Sequence, residues 1–196
     1  MSLLKFTQQA LSDFQKTAAI APSSRYLVQA MVEPLPLASA KVVVEFGPGT
    51  GAMTHELLRR MPAHAMLIAF EISPSFAAFL RKEIRDPRLV VIEAGAETCA
   101  EHLRALGVER VDAALSSLGL SLMRDQQVHD TLRGLLPFLG PGSVLTQYQY
   151  LQQIRIHLGR IERYRVSATL RRYFPNVGRD VIWRNIPPAY VFVCRK

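Results

Sequence analysis

The sequence predicts an α/β fold: a mostly parallel, seven-stranded sheet with helices on both faces and a C-terminal antiparallel hairpin. Three observations carry that prediction. Short apolar runs of strand length alternate with amphipathic runs of helix length from Val42 to Tyr148, the order that a parallel sheet covered by crossover helices requires. The first run, Lys41-Val-Val-Val-Glu-Phe-Gly-Pro-Gly-Thr-Gly51, passes from β-branched residues into a glycine turn and then a helix. The alternation stops after Tyr148, and the chain finishes on two strand-like runs separated by Ile186-Pro-Pro188.

Composition sets the outer limits. The 196 residues are 49% hydrophobic and 20% charged, a balance that builds one sizeable core and excludes wholesale disorder. The apolar runs fall short of the roughly 18 residues a membrane span needs. Met1 to Ile20 is interrupted by polar residues throughout, so no signal peptide is expected. Cys99 and Cys194 lack metal or redox spacing, no metal site is expected, and the chain reads as cytoplasmic. Charge is the informative quantity. The last 46 residues hold ten Lys/Arg against Glu162 and Asp180, so the whole net charge of +8 sits there and residues 1–150 balance at zero. A basic end on a neutral body implies an anionic partner, either nucleic acid or an acidic membrane face.

Taken in order, Ser2 to Lys16 sets Leu3, Leu4, Thr7, Ala10, Leu11 and Phe14 at helical spacing. Such a helix either covers the core or lies in a membrane interface. A second helix is expected over Tyr26 to Val32, capped by Ser23 or Ser24. Arg25 in its first turn opposes the helix dipole, which hints at a bound anion. Residues 1–36 thus read as N-terminal helices facing membrane or substrate, and 37–196 as the core. Val42 to Phe46 is a strand buried on both faces, and Ala52 to Arg60 the helix whose N-terminus points back at the glycine loop. Strands follow over Ala65 to Phe70, Leu89 to Ile92, Val111 to Leu115 and Ser143 to Tyr148. The helices between them are Pro74 to Ile84, Thr98 to Leu106 and Arg124 to Phe138. Gln149 to Tyr164 is expected to be partly helical, and Val177 to Asn185 with Ala189 to Cys194 to form a hairpin on the sheet edge. No internal repeat interrupts this reading.

A strand, a turn with Gly47, Gly49 and Gly51, and a helix N-terminus make a nucleotide-type site, because glycine accepts positive φ and lets a ligand approach the backbone. The Gly-x-Gly-x-Gly spacing lacks the third glycine position of the dinucleotide fingerprint, and Gly51-Ala-Met lacks the Lys-Ser/Thr of a triphosphate loop. Glu71 stands 20 residues past Gly51, where doubly wound nucleotide folds place the acid that holds ribose hydroxyls.

The string Val-Val-Glu-Phe-Gly-Pro-Gly-Thr-Gly closely resembles motif I of the class I S-adenosylmethionine-dependent methyltransferases. That resemblance implies a Rossmann-like fold and S-adenosylmethionine as cofactor, leaving as S-adenosylhomocysteine. It also implies a binding set: Glu45, Gly47, Pro48, Gly49 and Gly51 around the methionine part, and Glu71 with Ile72 at the ribose. Ala96 and Glu97 would flank the adenine, and Ser116, Ser117 and Leu118 would face the methyl group. Family members often carry Gly-Asp-Ala before the adenine site, whereas this chain reads Ala94-Gly95-Ala96-Glu97, which leaves Glu97 or Glu93 as the polar partner.

Two branches of that family compete. The ribosomal RNA adenine dimethylases share motif I, but amine-directed base methylators need Asn/Asp-Pro-Pro-Tyr/Phe after the fourth strand, and here that place is Ser116-Ser-Leu-Gly119. Three segments resemble the bacterial phospholipid N-methyltransferases, which convert phosphatidylethanolamine to phosphatidylcholine: Ala19-Ile-Ala-Pro-Ser-Ser-Arg25, Ser116-Ser-Leu-Gly-Leu120 and Trp183-Arg-Asn-Ile-Pro-Pro-Ala-Tyr-Val191. Members commonly have proline where Gly119 stands. On this resemblance the chain is a peripheral enzyme of the inner membrane face, held by its N-terminal helix and basic C-terminal segment, with a phospholipid substrate and no nucleic-acid partner expected. The substrate phosphate is assigned to Arg25, Arg184 and Ser24, since guanidinium forks suit phosphate oxygens. Tyr148, Tyr150 and Ser116 are the catalytic candidates, with a tyrosine or a water taking the amine proton. His157 is the histidine best placed in sequence for lipid work. The alternatives are an RNA adenine N6-methyltransferase and a non-catalytic membrane-binding protein that keeps the fold.

Overall fold

Seven strands form one hydrogen-bonded sheet whose spatial order, counting strands along the chain, is 3-2-1-4-5-9-8. The computed structural model describes residues 24–151, 154–157 and 160–196. The expectations for Ser2 to Lys16, and for the side chain of His157, lie outside those residues. β1 (Val42–Phe46), β2 (Met66–Phe70), β3 (Leu89–Ile92), β4 (Val111–Ser116) and β5 (Leu139–Tyr150) run parallel. β9 (Ala189–Arg195) is antiparallel to β5, and β8 (Asn176–Ile182) closes the edge antiparallel to β9. This is the expected hairpin, and it sits on the expected edge.

Two apolar layers flank the sheet. On one face α1 (Arg25–Val32), α2 (Ala52–Arg60) and α3 (Pro74–Glu83) bury Leu27, Met31, Leu57 and Leu80 against Val43, Leu67, Leu115 and Val191. On the other, α4 (Cys99–Ala105), α5 (Asp125–Leu135) and α6 (Val166–Leu170) bury Leu103, Val128, Leu132 and Leu170 against Val44, Ile68, Ala114 and Phe192. Neighbouring residues of β1 therefore enter different layers, as a strand's period of two demands. Leu27, Met31, Val32 and Leu35 share the first layer with α2 and the sheet. Single 3-10 turns precede β1 at Leu37–Ser39, lead into α4 at Ala96–Thr98 and follow α5 at Leu136–Phe138.

Two segments differ from the sequence reading. β5 starts at Leu139, four residues before the expected Ser143. The Ser143 hydroxyl donates to the Val111 carbonyl and accepts from the Gly140 N–H, at 2.7 and 3.1 Å, which ties the irregular start of β5 to β4. Among the described residues of Gln149 to Tyr164 the expected helix is replaced by strands: β5 continues to Tyr150, paired with Ala189, and β6 (Ile154–His157) and β7 (Arg160–Arg163) form a separate antiparallel pair. Ile154-Arg-Ile-His alternates with period two, and partner strands decide such short ambiguous runs. After β7 the chain turns into α6.

The parallel strands end on one rim, at Phe46, Phe70, Ile92, Ser116 and Tyr150. Ala189, the first residue of β9, pairs with Tyr150, so the β8–β9 turn joins that rim. In open sheets of this kind the rim beyond the strands' carboxyl ends is where ligands bind.

Candidate functional site

The glycine loop follows β1 across this rim. Gly47, Gly49 and Gly51 hold φ of 71°, 55° and 85°, the left-handed region that other residues enter only at a cost. The three glycines do different work. A Cβ on Gly51 would lie 2.9 Å from Ile84 Cδ1 and 3.1 Å from Leu80 Cδ2, so this glycine lets α2 begin against α3. A Cβ on Gly47 would meet Leu118 Cδ2 at 3.1 Å, which brings the loop after β4 against the loop after β1. A Cβ on Gly49 would meet nothing within 4 Å: here the backbone faces open space, as a cradle for a ligand must.

Two carboxylates frame the loop. Glu71, just past β2, is 5% exposed, and its two oxygens accept from the N–H groups of Gly49 and Ser73 at 3.0 and 2.8 Å. It straps the loop after β1 to the loop after β2. Glu45 is fully buried in β1. Its Oε2 accepts from the Thr54 hydroxyl at 2.8 Å, while Oε1 has no partner among the described residues. Burial pushes its pKa up to about 8; the Thr54 bond opposes that rise and the charge of Glu71 adds to it. A buried polar atom left without a partner is costly, so Oε1 is a group in want of a partner.

Ile72, after Glu71, is 58% exposed on the rim. Ala96 is buried, and the Glu97 carboxyl folds back over Gly95, where an added Cβ would lie 2.5 Å from Oε1. Pro48 is buried, and its carbonyl accepts from Gly51 N–H at 2.9 Å. Ser116 ends β4 with its hydroxyl buried and accepting from Leu118 N–H at 3.4 Å. The Ser117 N–H donates to the Phe46 carbonyl at 2.9 Å, and Gln147 of β5 donates through Nε2 to the Leu118 carbonyl at 2.8 Å. The expected cofactor residues of β1, β2 and β4 thus share one bonded rim.

The second half of the site lies where β5, β9 and α1 meet. Tyr148 and Tyr150 point to the same sheet face two residues apart, their rings edge-to-face at 5.5 Å between centroids. Tyr148 is buried in the layer that holds Ala189 and Val191. Burial raises its phenol pKa, and Tyr150 raises it further, so this hydroxyl keeps its proton and is a poor base.

Arg25 and Arg184, 159 positions apart in sequence, converge on one ring. Their guanidinium carbons stand 4.9 and 5.1 Å from the centroid of Tyr26, and both donate to its hydroxyl, at 2.9 and 3.4 Å. Both guanidinium groups are exposed, so water and salt screen their mutual repulsion and both remain open to an anion. Ser24 caps α1, its hydroxyl accepting from Leu27 N–H at 3.2 Å. Its N–H donates to Oδ1 of buried Asn185 at 3.1 Å, and Asn185 Nδ2 donates to the Pro187 carbonyl at 2.7 Å. Sequence reasoning missed Tyr26 and Asn185. Asn185 was within reach as the polar centre of Trp183-Arg-Asn-Ile-Pro-Pro188, whereas no local signal marks Tyr26. No group of three or more potential metal ligands occurs among the described residues.

Residues 43–142 match the methyltransferase domain family. The ornithine lipid N-methyltransferase of Singulisphaera acidiphila is 28% identical over 91% of this chain and 88% of its own length. The ribosomal RNA small subunit methyltransferase H of Aromatoleum aromaticum is 33% identical over 56% of this chain, a stretch that spans 34% of that relative. A SAM-dependent methyltransferase from Archaeoglobus fulgidus superposes with a TM-score of 0.64 at 14% identity, covering 88% of this chain and 95% of its own.

Proposed function

The chain belongs to the methyltransferase domain family, whose cofactor is S-adenosylmethionine, and from that premise we propose that it N-methylates the head-group amine of a lipid at a membrane surface. Phosphatidylethanolamine, on its way to phosphatidylcholine, is the first substrate. The observation that carries this reading is the meeting of Arg25 and Arg184 on Tyr26. Two guanidinium forks on the binding rim suit an anionic group beside the amine, the phosphate of a phospholipid or the carboxylate of an ornithine lipid. The whole-length likeness to an ornithine lipid N-methyltransferase supports the lipid class.

The residues present fit the cofactor on three counts. Gly49 presents backbone to open space, buried Glu45 Oε1 lacks a partner among the described residues, and the Glu71 carboxylate stands at the end of β2 where ribose hydroxyls belong in doubly wound folds. The methionine part is assigned to Glu45 and the 47–51 loop, the ribose to Glu71 and Ile72, and the adenine to Ala96 and Glu97. Ser116, Ser117 and Leu118 line the methyl side. When bound, S-adenosylmethionine supplies an electrophilic sulfonium methyl, so the amine must present a free lone pair and lose one proton for each methyl gained. Tyr148 holds its own proton, and the proton acceptor in this scheme is water. What Tyr148 and Tyr150 offer is ring faces and edges near the growing cation, an attraction of about 0.5–2 kcal/mol. Arg25 and Arg184 fix the anionic group and so position the amine, which is where proximity lowers a barrier.

The RNA reading is weaker. Relatives of that class match less of this chain, and Ser116-Ser-Leu-Gly119 has neither the proline nor the aromatic that a base amine needs. The experiment incubates the protein with methyl-labelled S-adenosylmethionine and, separately, vesicles containing phosphatidylethanolamine, vesicles containing ornithine lipid, and ribosomal RNA. Label in phosphatidylethanolamine is the expected result. Label in ornithine lipid alone moves the anionic partner of Arg25 and Arg184 to a carboxylate, and label in RNA overturns the reading. Arg184→Ala should raise KM for the lipid roughly tenfold or more, one lost charged hydrogen bond's worth, with kcat less affected.

A further inference from the structure

Large apolar side chains stand exposed at six described positions: Ile72, Phe79, Leu106, Leu122, Trp183 and Ile186. Scattered singly they would need no explanation. Four of them, however, lie on one rim. Ile72 follows β2, Leu122 lies in the loop after β4, and Trp183 and Ile186 lie in the β8–β9 turn beside the end of β5. Trp183 is 70% exposed and Ile186 is 86% exposed, the two highest values of the set. Between them stand Arg184, which reaches Tyr26, and Asn185, which is buried and bonded to Ser24 and Pro187. The turn is therefore pinned to the start of α1 by its central residue while its apolar residues face outward.

We propose that the 183–186 turn is a membrane-docking wedge, with Trp183 and Ile186 entering the boundary between head groups and acyl chains of a bilayer that carries anionic lipid. The proposal deepens the lipid reading above and rests on it. Charge decides the occupant: Arg184 stands between the two apolar residues, Arg25 meets it on the Tyr26 ring, and the C-terminal segment carries the protein's whole excess of positive charge. Tryptophan and arginine side by side suit an interface that is apolar on one side and anionic on the other. Docked through this turn, the rim that holds Gly49, Glu71 and Tyr26 faces the head groups, so a lipid amine need not leave the membrane to reach it.

The chain contains one tryptophan, so its fluorescence reports on this turn. The full chain is titrated with vesicles of phosphatidylglycerol and phosphatidylethanolamine, with and without brominated acyl chains, and with vesicles of phosphatidylcholine alone. The expected result is a blue-shifted emission that bromines quench, much stronger with phosphatidylglycerol present. Ile186→Ser should lower partitioning onto those vesicles about tenfold and leave S-adenosylmethionine affinity, read by calorimetry, unchanged. Vesicle binding with an unshifted, unquenched emission would overturn the proposal, because another segment would then make the contact. A shift without vesicles that grows with protein concentration would also overturn it, assigning the turn to a second copy. Quenching by bromolipid in a protein that labels only RNA would uphold the docking and sink the lipid-substrate reading, so the two can fail separately.

Discussion

Glu45→Gln should change how stability depends on pH, and the size of the change follows from the site. Glu45 is fully buried, with one carboxyl oxygen bonded to Thr54 and the other without a partner. Its pKa is about 8 in the folded chain against 4.5 for the free side chain. The native state thus holds a proton that the unfolded state gives up first. A raised carboxyl pKa contributes stability that is fully present below pH 4.5 and is lost as pH rises through about 8. Each pH unit in that window costs about 1.4 kcal/mol, so the whole window is worth about 5 kcal/mol and the step from pH 5 to pH 7 about 3 kcal/mol. Glutamine keeps the shape and an oxygen for Thr54 but does not titrate. The assay is urea unfolding of both proteins without cofactor at several values between about pH 5 and about pH 8. Plotting the stability difference cancels the other titrating groups. Wild type should lose ground to the variant steadily across the range, at about 1.4 kcal/mol per unit. Parallel profiles would refute the reasoning, since they would mean that Glu45 is ionised in the fold at neutral pH.

The glycine loop allows a paired test. Gly51→Ala forces an alanine into φ of 85° with its Cβ 2.9 Å from Ile84 Cδ1, and should lower stability by about 2 kcal/mol or more, seen as a fall in Tm. Gly49→Ala meets no protein atom, so it should cost only about 1 kcal/mol of stability while weakening S-adenosylmethionine binding in calorimetry. Glu71→Ala removes the acceptor of the Gly49 and Ser73 N–H groups. It should lower cofactor affinity roughly ten- to a hundredfold, and unchanged affinity would detach Glu71 from the ribose. Asn185→Ala strips the acceptor from Ser24 N–H and the donor from the Pro187 carbonyl. A loss of about 1–3 kcal/mol in urea unfolding is expected, together with a higher KM for lipid as Arg184 loses its fixed place beside Tyr26.

The legible part of this protein is the part written locally. β1, the glycine loop and α2 occupy the residues expected from Val42 to Arg60, because burial on both faces, positive φ and helix periodicity each leave a mark within a few residues. Glu71 could be placed because the length of one strand–helix–strand unit fixes its spacing from the loop. The sequence reading of the segment after Tyr148 fails where its structure depends on distant partners: β5 runs on to Tyr150 because β9 pairs with it, and Ile154–His157 and Arg160–Arg163 are strands because they pair with each other.

For the site, the sequence by itself determined the strand, glycine turn and helix from Val42 to Arg60 and named Arg25 and Arg184 as separate candidates. Only the tertiary structure decided that they share Tyr26, that Asn185 ties the β8–β9 turn to α1, and that Gly51 serves packing while Gly49 faces open space. The physical reason is the range of the interactions. A strand, a turn or a cap is chosen by atoms a few residues apart, whereas a guanidinium finds its ring and a carboxamide its N–H only after the antiparallel edge has brought the β8–β9 turn to the start of α1.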